Sequence, residues 1–204
     1  MNRPLREHLG IGTVADCLGK GDSDFFSSDL VFLYRQEDDA VVVSRSPLLN
    51  QPWIVPAHKG HLKWFLSSKI PLMDAKGTFV ALAGIMWDLV HELDISQPFE
   101  DMRVVVDHIF AHYDKRISLE TLASLRFLSP RQLERRFRGL FHTSPTEFIL
   151  KVRLDTATRL LIESNSSITE IAMQCGFYDN SHFTRQFKKK LGVSPHQFRK
   201  KFGQ

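Results

Sequence analysis

The chain has 204 residues, 43% hydrophobic and 25% charged, which is enough apolar material for ordinary cores in one large domain or two small ones. Its two cysteines, Cys17 and Cys175, are too few for a disulfide scaffold or a four-cysteine zinc site; with no signal peptide opening the chain, they fit a reducing cytoplasm. The longest nearly apolar run, Phe79 to Trp87, is less than half of a membrane span, so no membrane partner is expected.

In the first half, Gly10, Gly12, Gly19 and Gly21 break residues 1–28 into two weakly helical pieces. Leu30–Arg35 predicts a turn of helix, and Ala40–Arg45 a short β-branched strand. Leu62, Trp64, Leu66, Ser68, Ile70 and Leu72 then alternate with Lys63, Phe65, Ser67 and Lys69, the period of a strand with one mostly apolar face. Asp74-Ala75-Lys76-Gly77 has the residues of a tight turn, and Thr78–Trp87, apolar on both faces, predicts a central strand that closes a hairpin. His58 and His61 stand at a metal-ligand spacing, but no third ligand is placed and they lie in a Pro/Gly loop, so no metal is expected. Glu37-Asp38-Asp39 reads as a solvated turn, and of Trp53, Trp64 and Trp87 at least two are expected in a core rather than a pocket wall. Asp94, Ser96 and Pro98 make residues 91–99 a linker.

The segment near Leu18-Gly19-Lys20, the Pro47-Leu48-Leu49-Asn50 turn, the Asp-x-x-Gly hairpin and the ending Gly84-Ile85-x-x-Asp88 resemble the second half of the PAS sensor fold. The resemblance implies an antiparallel sheet domain over residues 1–90. Its first two strands would precede Asn2-Arg3-Pro4-Leu5, so the expectation is a chain lacking one β-hairpin, through a late start or a deletion. That leaves a sheet edge open to pairing. The signal such a domain would sense is not legible.

The second half is basic. Residues 1–99 carry nine Lys and Arg against twelve Asp and Glu, whereas residues 100–204 carry eighteen against eleven. Clustered positive charge suits a polyanion, because each neutralised phosphate releases condensed counterions. Glu100–Tyr113 predicts an amphipathic helix; its His108 and His112, one turn apart, read as a surface pair. Beyond it the chain repeats itself. Fifty residues separate Phe127, Leu133, Arg135, Phe137, Ser144, Pro145 and Phe148 from Phe177, Phe183, Arg185, Phe187, Ser194, Pro195 and Phe198, while Leu119, Leu122 and Ala123 match Ile168, Ile171 and Ala172 at forty-nine. A duplicated helix, turn, helix unit with one inserted residue in the turn is the reading.

Each unit announces its helices. Ser118 can cap one carrying Leu122 and Ala123. Ser129, Pro130 and Gln132 form a capping box and helix start, with Leu128 stapled onto Leu133. Leu133, Phe137, Leu140 and Phe141 then form one stripe of helix 129–141, and Arg131, Arg135 and Arg138 another on the opposite side. Ser144 and Glu147 open a long helix to about Glu163, Ser167 and Glu170 the next. Tyr178-Asp179 serves as staple and cap for helix 180–191, on which Ser181, Arg185 and Lys188 take the places of the three arginines. Ser194 caps the last helix. Two outward polar faces on one rigid helix of roughly 28 Å suit adjacent major grooves of duplex DNA about 34 Å apart, with the helix starts at Ser129 and Asp179 aimed at phosphates.

The run Ala172-x-x-Cys175-Gly176-Phe177-x-x-x-Ser181-His182-Phe183-x-Arg185-x-Phe187-Lys188-x-x-x-Gly192-Val193-Ser194-Pro195-x-x-Phe198-Arg199 resembles the signature of the AraC/XylS family of bacterial transcription regulators. The likeness covers about residues 100–203. Taken with the PAS resemblance, it implies an α+β protein: a partial PAS-like sheet domain, a linker at 91–99, and an all-α double helix-turn-helix DNA-binding domain over 100–204. It further implies DNA contacts at Arg131, Glu134 and Arg135 of the first recognition helix and at Ser181, His182, Thr184 and Arg185 of the second. Glu134 would accept from a cytosine amino group or pair with Arg138. Double-stranded promoter DNA is the implied partner, with RNA polymerase joining if the protein activates and a second copy of the chain as a further candidate. No cofactor and no enzymatic activity are implied. Two rival readings are a DNA alkyl-transfer repair enzyme, which would need a reactive, base-accessible cysteine, and a helical module for protein binding, which the outward arginines argue against.

Overall fold

The structure, a computed structural model, describes residues 2–56, 62–88 and 97–203. His58, His61, the Trp64 side chain and the Asp94–Ser96 portion of the expected linker lie outside the described residues.

The glycine-broken start folds as its composition predicts. Helix α1 (Arg3–Leu9) opens on Asn2, whose Oδ1 accepts the Leu5 N–H at 3.2 Å, and stops at Gly10 with φ +72°. Two 3-10 turns follow, at Ala15–Cys17 and Asp22–Asp24. The next prediction fails. Residues expected to form a turn of helix and then a β-branched strand are one 17-residue helix, α2 (Ser28–Ser44), ending at a left-handed Arg45. Val31, Leu33 and Val41 are buried along it, so tertiary packing overrides the strand preference of its valines. Nor is Glu37-Asp38 a solvated turn: Glu37 Oε2 accepts the Trp53 Nε1–H at 2.8 Å, and Asp38 pairs with Lys69 at 2.7 Å.

The sheet is an antiparallel meander of β1 (Leu48–Pro56), β2 (Leu62–Met73) and β3 (Phe79–Asp88) in that order. The hairpin turn is as predicted, with Asp74 Oδ1 accepting the N–H groups of Lys76 and Thr78 at 2.8 Å each. The predicted central strand, however, is an outer one. Strand β2 lies in the middle, and Val80, Ile85 and Trp87 of β3 are exposed. Strand β1 had no signal in the sequence because Pro52 interrupts it and Pro56 ends it. Prolines are tolerated there because an outer strand leaves half its N–H groups unpaired.

Seven helices follow: α3 (Gln97–His112), α4 (Leu119–Ser124), α5 (Pro130–Phe141), α6 (Pro145–Glu163), α7 (Ile168–Gln174), α8 (Asn180–Leu191) and α9 (Pro195–Phe202). Helix α3 begins within the expected linker; Pro98 sits in its first turn, where a missing N–H costs nothing. Two hydrophobic clusters hold the chain together, and each joins both halves. One gathers Leu154, Ala157, Leu161, Phe183, Phe187 and Phe198 around Leu33, Trp53 and Phe65. The other gathers Met102, Val105, Ile109, Leu133, Phe137 and Phe148 with Leu66.

A charge cluster is buried at this junction. Lys151 Nζ lies 2.9 Å from Asp155 Oδ1, 3.7 Å from Glu37 Oε1 and 3.7 Å over the Trp53 ring. Burial works against the Lys151 ammonium, but Asp155 and Glu37 outweigh it and raise its pKa. Burial pushes the Asp155 carboxyl up to about 6, and its Oδ2 has no partner among the described residues. A carboxyl whose folded pKa lies above its unfolded value of about 3.9 holds its proton more tightly when folded, so its ionisation withdraws stability as pH rises through that interval. Asp155→Asn removes the loss. Urea denaturation at pH 4 and pH 7 should show the variant gaining about 2–3 kcal/mol on the native chain between the two; parallel stabilities would mean that Asp155 titrates as an ordinary carboxyl.

Candidate nucleic-acid interface

The predicted caps form. Ser118 Oγ accepts the Thr121 N–H at 3.1 Å, and reciprocal capping boxes close at Ser129 with Gln132, Ser144 with Glu147, Ser167 with Glu170 and Ser194 with Gln197. Asp179 accepts the His182 N–H at 2.6 Å. Each such cap is worth about 1 kcal/mol and fixes where a helix starts. The duplication is also a duplication of contacts. Phe137 meets Phe148 edge-on with centroids 5.4 Å apart, and Phe187 meets Phe198 edge-on at 5.5 Å.

The turns depart from the sequence alignment. The Leu128 N–H donates to Ala123 O at 2.9 Å, and the Phe177 N–H to Ala172 O at 3.0 Å, so Leu128 is the counterpart of Phe177. Phe127, at φ +53°, therefore stands where the second unit has Gly176 at φ +75°. Tyr178 is the inserted residue. Pairing Phe127 with Phe177 matched two rings by type, and the expected staple of Tyr178 on Phe183 does not form, for Phe127 is 99% and Tyr178 92% exposed. The position does not need glycine in the first unit, but it does in the second. A Cβ on Gly176 would lie 2.5 Å from Tyr113 O and 2.9 Å from Asp114 O, where the turn presses on the chain leaving α3.

The outward faces are present. Arg131, Arg135 and Arg138 are exposed on α5, and among the described residues none makes a hydrogen bond or ion pair; the same holds for Arg185 and Lys188 on α8. Glu134, half-buried, forms no ion pair with Arg138. Ser181 is exposed beside them. His182 and Thr184 are partly engaged: the imidazole lies 5.7 Å from the Phe177 ring and 3.4 Å from Gln186 Nε2, and the Thr184 hydroxyl is 3.4 Å from Asn180 Oδ1. Ser129 is occupied by its box, accepting the Gln132 N–H at 3.3 Å and donating to Gln132 Oε1 at 3.0 Å. Arg136 and Lys189 also lie exposed on these helices, Lys189 within the charge run Lys188–Lys190 that the sequence shows. Other arginines are structural. Arg153 donates to Tyr113 O and Lys115 O at 2.7 Å each, and Arg199 to Leu161 O at 3.2 Å and Ser166 O at 2.7 Å.

His108 and His112 stack on each other with ring centroids 4.3 Å apart, and burial, with His112, lowers the His108 pKa. Cys175 is buried in the core, where burial pushes its thiol up to about 12.

Two helix-turn-helix units sharing one long helix define the class of this half, and comparison agrees: residues 122–201 match the family of helix-turn-helix domains. Over 107 residues the chain is 36% identical to the HTH-type transcriptional regulator GbdR of Pseudomonas aeruginosa, covering 52% of this chain and 29% of GbdR. Over 96 residues it is 31% identical to the bifunctional transcriptional activator/DNA repair enzyme AdaA of Bacillus subtilis, covering 47% of this chain and 46% of AdaA. The C-terminal domain of AraT, a response regulator from Geobacillus stearothermophilus, superposes with a TM-score of 0.51 at 29% identity, covering 53% of this chain and 91% of that domain. The likeness thus spans less than half the length of these curated relatives.

Gly176→Ala should cost about 3 kcal/mol, combining left-handed strain with backbone overlap. Gly77→Ala, at φ +78° in open space, should cost only about 1–2 kcal/mol. Equal losses in thermal unfolding would show that the contact with the end of α3 is not tight.

Proposed function

We propose that the chain is a sequence-specific DNA-binding regulator of transcription of the AraC/XylS type, reading adjacent major grooves with α5 and α8. The observation that carries this is a pair of outward basic faces, at equivalent places in a duplicated unit, whose arginine and lysine side chains make no hydrogen bond or ion pair among the described residues. A folded protein gains nothing from aligning unpaired cations, whereas a polyanion does. Arg131, Arg135 and Arg185 are the candidates for bidentate contacts to guanine, Glu134 for a cytosine amino group, and Arg138 and Lys188 for phosphates. Ser181, His182 and Thr184 would read less selectively, and Ser129 acts through the helix start it caps. The relatives that match this half are named as regulators of transcription, which supports the same reading.

The N-terminal half, residues 1–90, serves in this proposal as a PAS-like sensor of a small molecule. A cavity of about 170 Å³ lined by Leu33, Trp53, Asp155 and Arg159 lies where α2 meets α6 and supports that role. RNA polymerase and a second copy of the chain are the proposed protein partners. Repair chemistry is the weaker reading, because a buried thiol raised to about 12 is a poor nucleophile.

Selection of genomic fragments with the full chain should enrich one bipartite motif with half-sites about one turn apart. Arg135→Ala should then weaken specific binding by about 1–3 kcal/mol and leave the unfolding temperature unchanged. Arg153→Ala should lower that temperature, because Arg153 ties α6 to the end of α3. An unchanged specificity ratio for Arg135→Ala would refute its base-reading role.

A further inference from the structure

Two aromatic rings stand almost wholly in solvent, and both lie in the turn that leads into a recognition helix. Phe127 is 99% exposed and Tyr178 92% exposed. Phe127 is also held at φ +53°, in the place its repeat fills with Gly176 at φ +75°. A side chain with a β-carbon is strained there, and glycine is not. The fold therefore gains neither burial nor backbone ease from Phe127. A local outlier that folding does not require points to a use outside the fold.

The surroundings narrow that use. Phe127 lies two residues before the cap of α5 and Tyr178 one residue before the cap of α8, and Arg131, Arg135, Arg185 and Lys188 stand unpaired on those helices. When such a helix docks in a major groove, its N-terminal residues meet the base edges. The apolar group a major groove offers there is the thymine C5-methyl. The cations argue for DNA over an apolar protein surface, since a protein contact made by these rings would also have to desolvate the neighbouring arginines.

We propose that Phe127 and Tyr178 make apolar contacts to thymine methyl groups, one at the entry of each recognition helix, and so add thymine preference to what the arginines read. This rests on the DNA-binding reading and extends it. The rings are not at equivalent positions: Phe127 precedes the packed Leu128, whereas Tyr178 follows the packed Phe177. The two half-sites should accordingly carry their thymines at different offsets.

The test uses the full chain and the best fragment from the genomic selection, made as synthetic duplexes in which single thymines are replaced by uracil, which removes only the methyl. For the native chain, uracil at one position in each half-site should weaken binding about fourfold. Phe127→Gly, which installs the residue of the second unit, should keep or raise the unfolding temperature, weaken binding about tenfold, and lose the uracil effect in one half-site only. Tyr178→Ala should do the same in the other. Equal affinity of variant and native chain, or indifference of the native chain to uracil at every position, overturns the proposal while leaving the arginine reading standing. If the native chain selects no fragment, the DNA-binding reading itself falls, and this proposal with it.

Discussion

Everything in the C-terminal half depends on one helix that packs into two cores. Phe148, Ile149 and Val152 of α6 belong to the cluster that holds α3, α4 and α5, while Leu154, Ala157 and Leu161 belong to the one that holds α7, α8 and α9. Helix α6 presents apolar residues to both clusters, so it serves as a wall for both units at once. Their separation is then set by its length, roughly 28 Å for nineteen residues, rather than by a flexible tether. The polar residues of α6 obey the same constraint. Thr156 and Thr158 return their hydroxyl hydrogens to the helix's own carbonyls, at 3.0 and 2.7 Å, and Lys151 and Asp155 neutralise each other.

Arginine is used in two ways, and burial separates them. Arg153 and Arg199 are half-buried and donate to carbonyls of the segments that follow α3 and α6, the role that a planar set of fixed donors suits best. The arginines of the recognition faces are exposed and make no such bonds. The two faces also differ. The cap of α5 is a neutral serine, while that of α8 is Asp179, whose charge opposes an incoming phosphate at the helix start and shifts the attraction towards Lys188 and Lys189 at its far end.

What could be read from the sequence follows from how local each signal is. Caps and apolar stripes are settled within one or two turns of helix, so Ser129-Pro130-x-Gln132 and Ser144-Pro145-x-Glu147 located their helices to the residue. The repeat carried the contact of Phe137 with Phe148 over to Phe187 and Phe198. The failures share a different cause. Val41 is helical because it is buried on α2, β1 survives two prolines because it is an outer strand, and Phe79–Asp88 looks central because apolarity on both faces does not say what, if anything, pairs with its edge. At the recognition turns, spacing aligned Phe127 with Phe177, although the backbone hydrogen bond counts from the preceding helix and assigns Leu128 instead. Among the site residues, charge and stripe identified the free arginines. The capping box that occupies Ser129 was legible in the sequence; only the folded chain reveals that His182 and Thr184 are also partly engaged.

The same long-range packing couples the two halves mechanically. Residues 1–90 and the helical half do not meet only through the segment that joins them in sequence. Leu33, Trp53 and Phe65 sit in one core with Phe187 and Phe198, and Leu66 in the other with Phe137. Adjacent residues of β2 thus face different helix-turn-helix units, since successive side chains of a strand point to opposite faces. Close-packed interiors have few voids and pass displacement on. A shift of β2 relative to α6 would therefore press on both recognition helices at once, through Phe65 on one side and Leu66 on the other. The pair of Lys151 and Asp155, with Asp155 Oδ2 unpartnered among the described residues, is set against Trp53 at that junction.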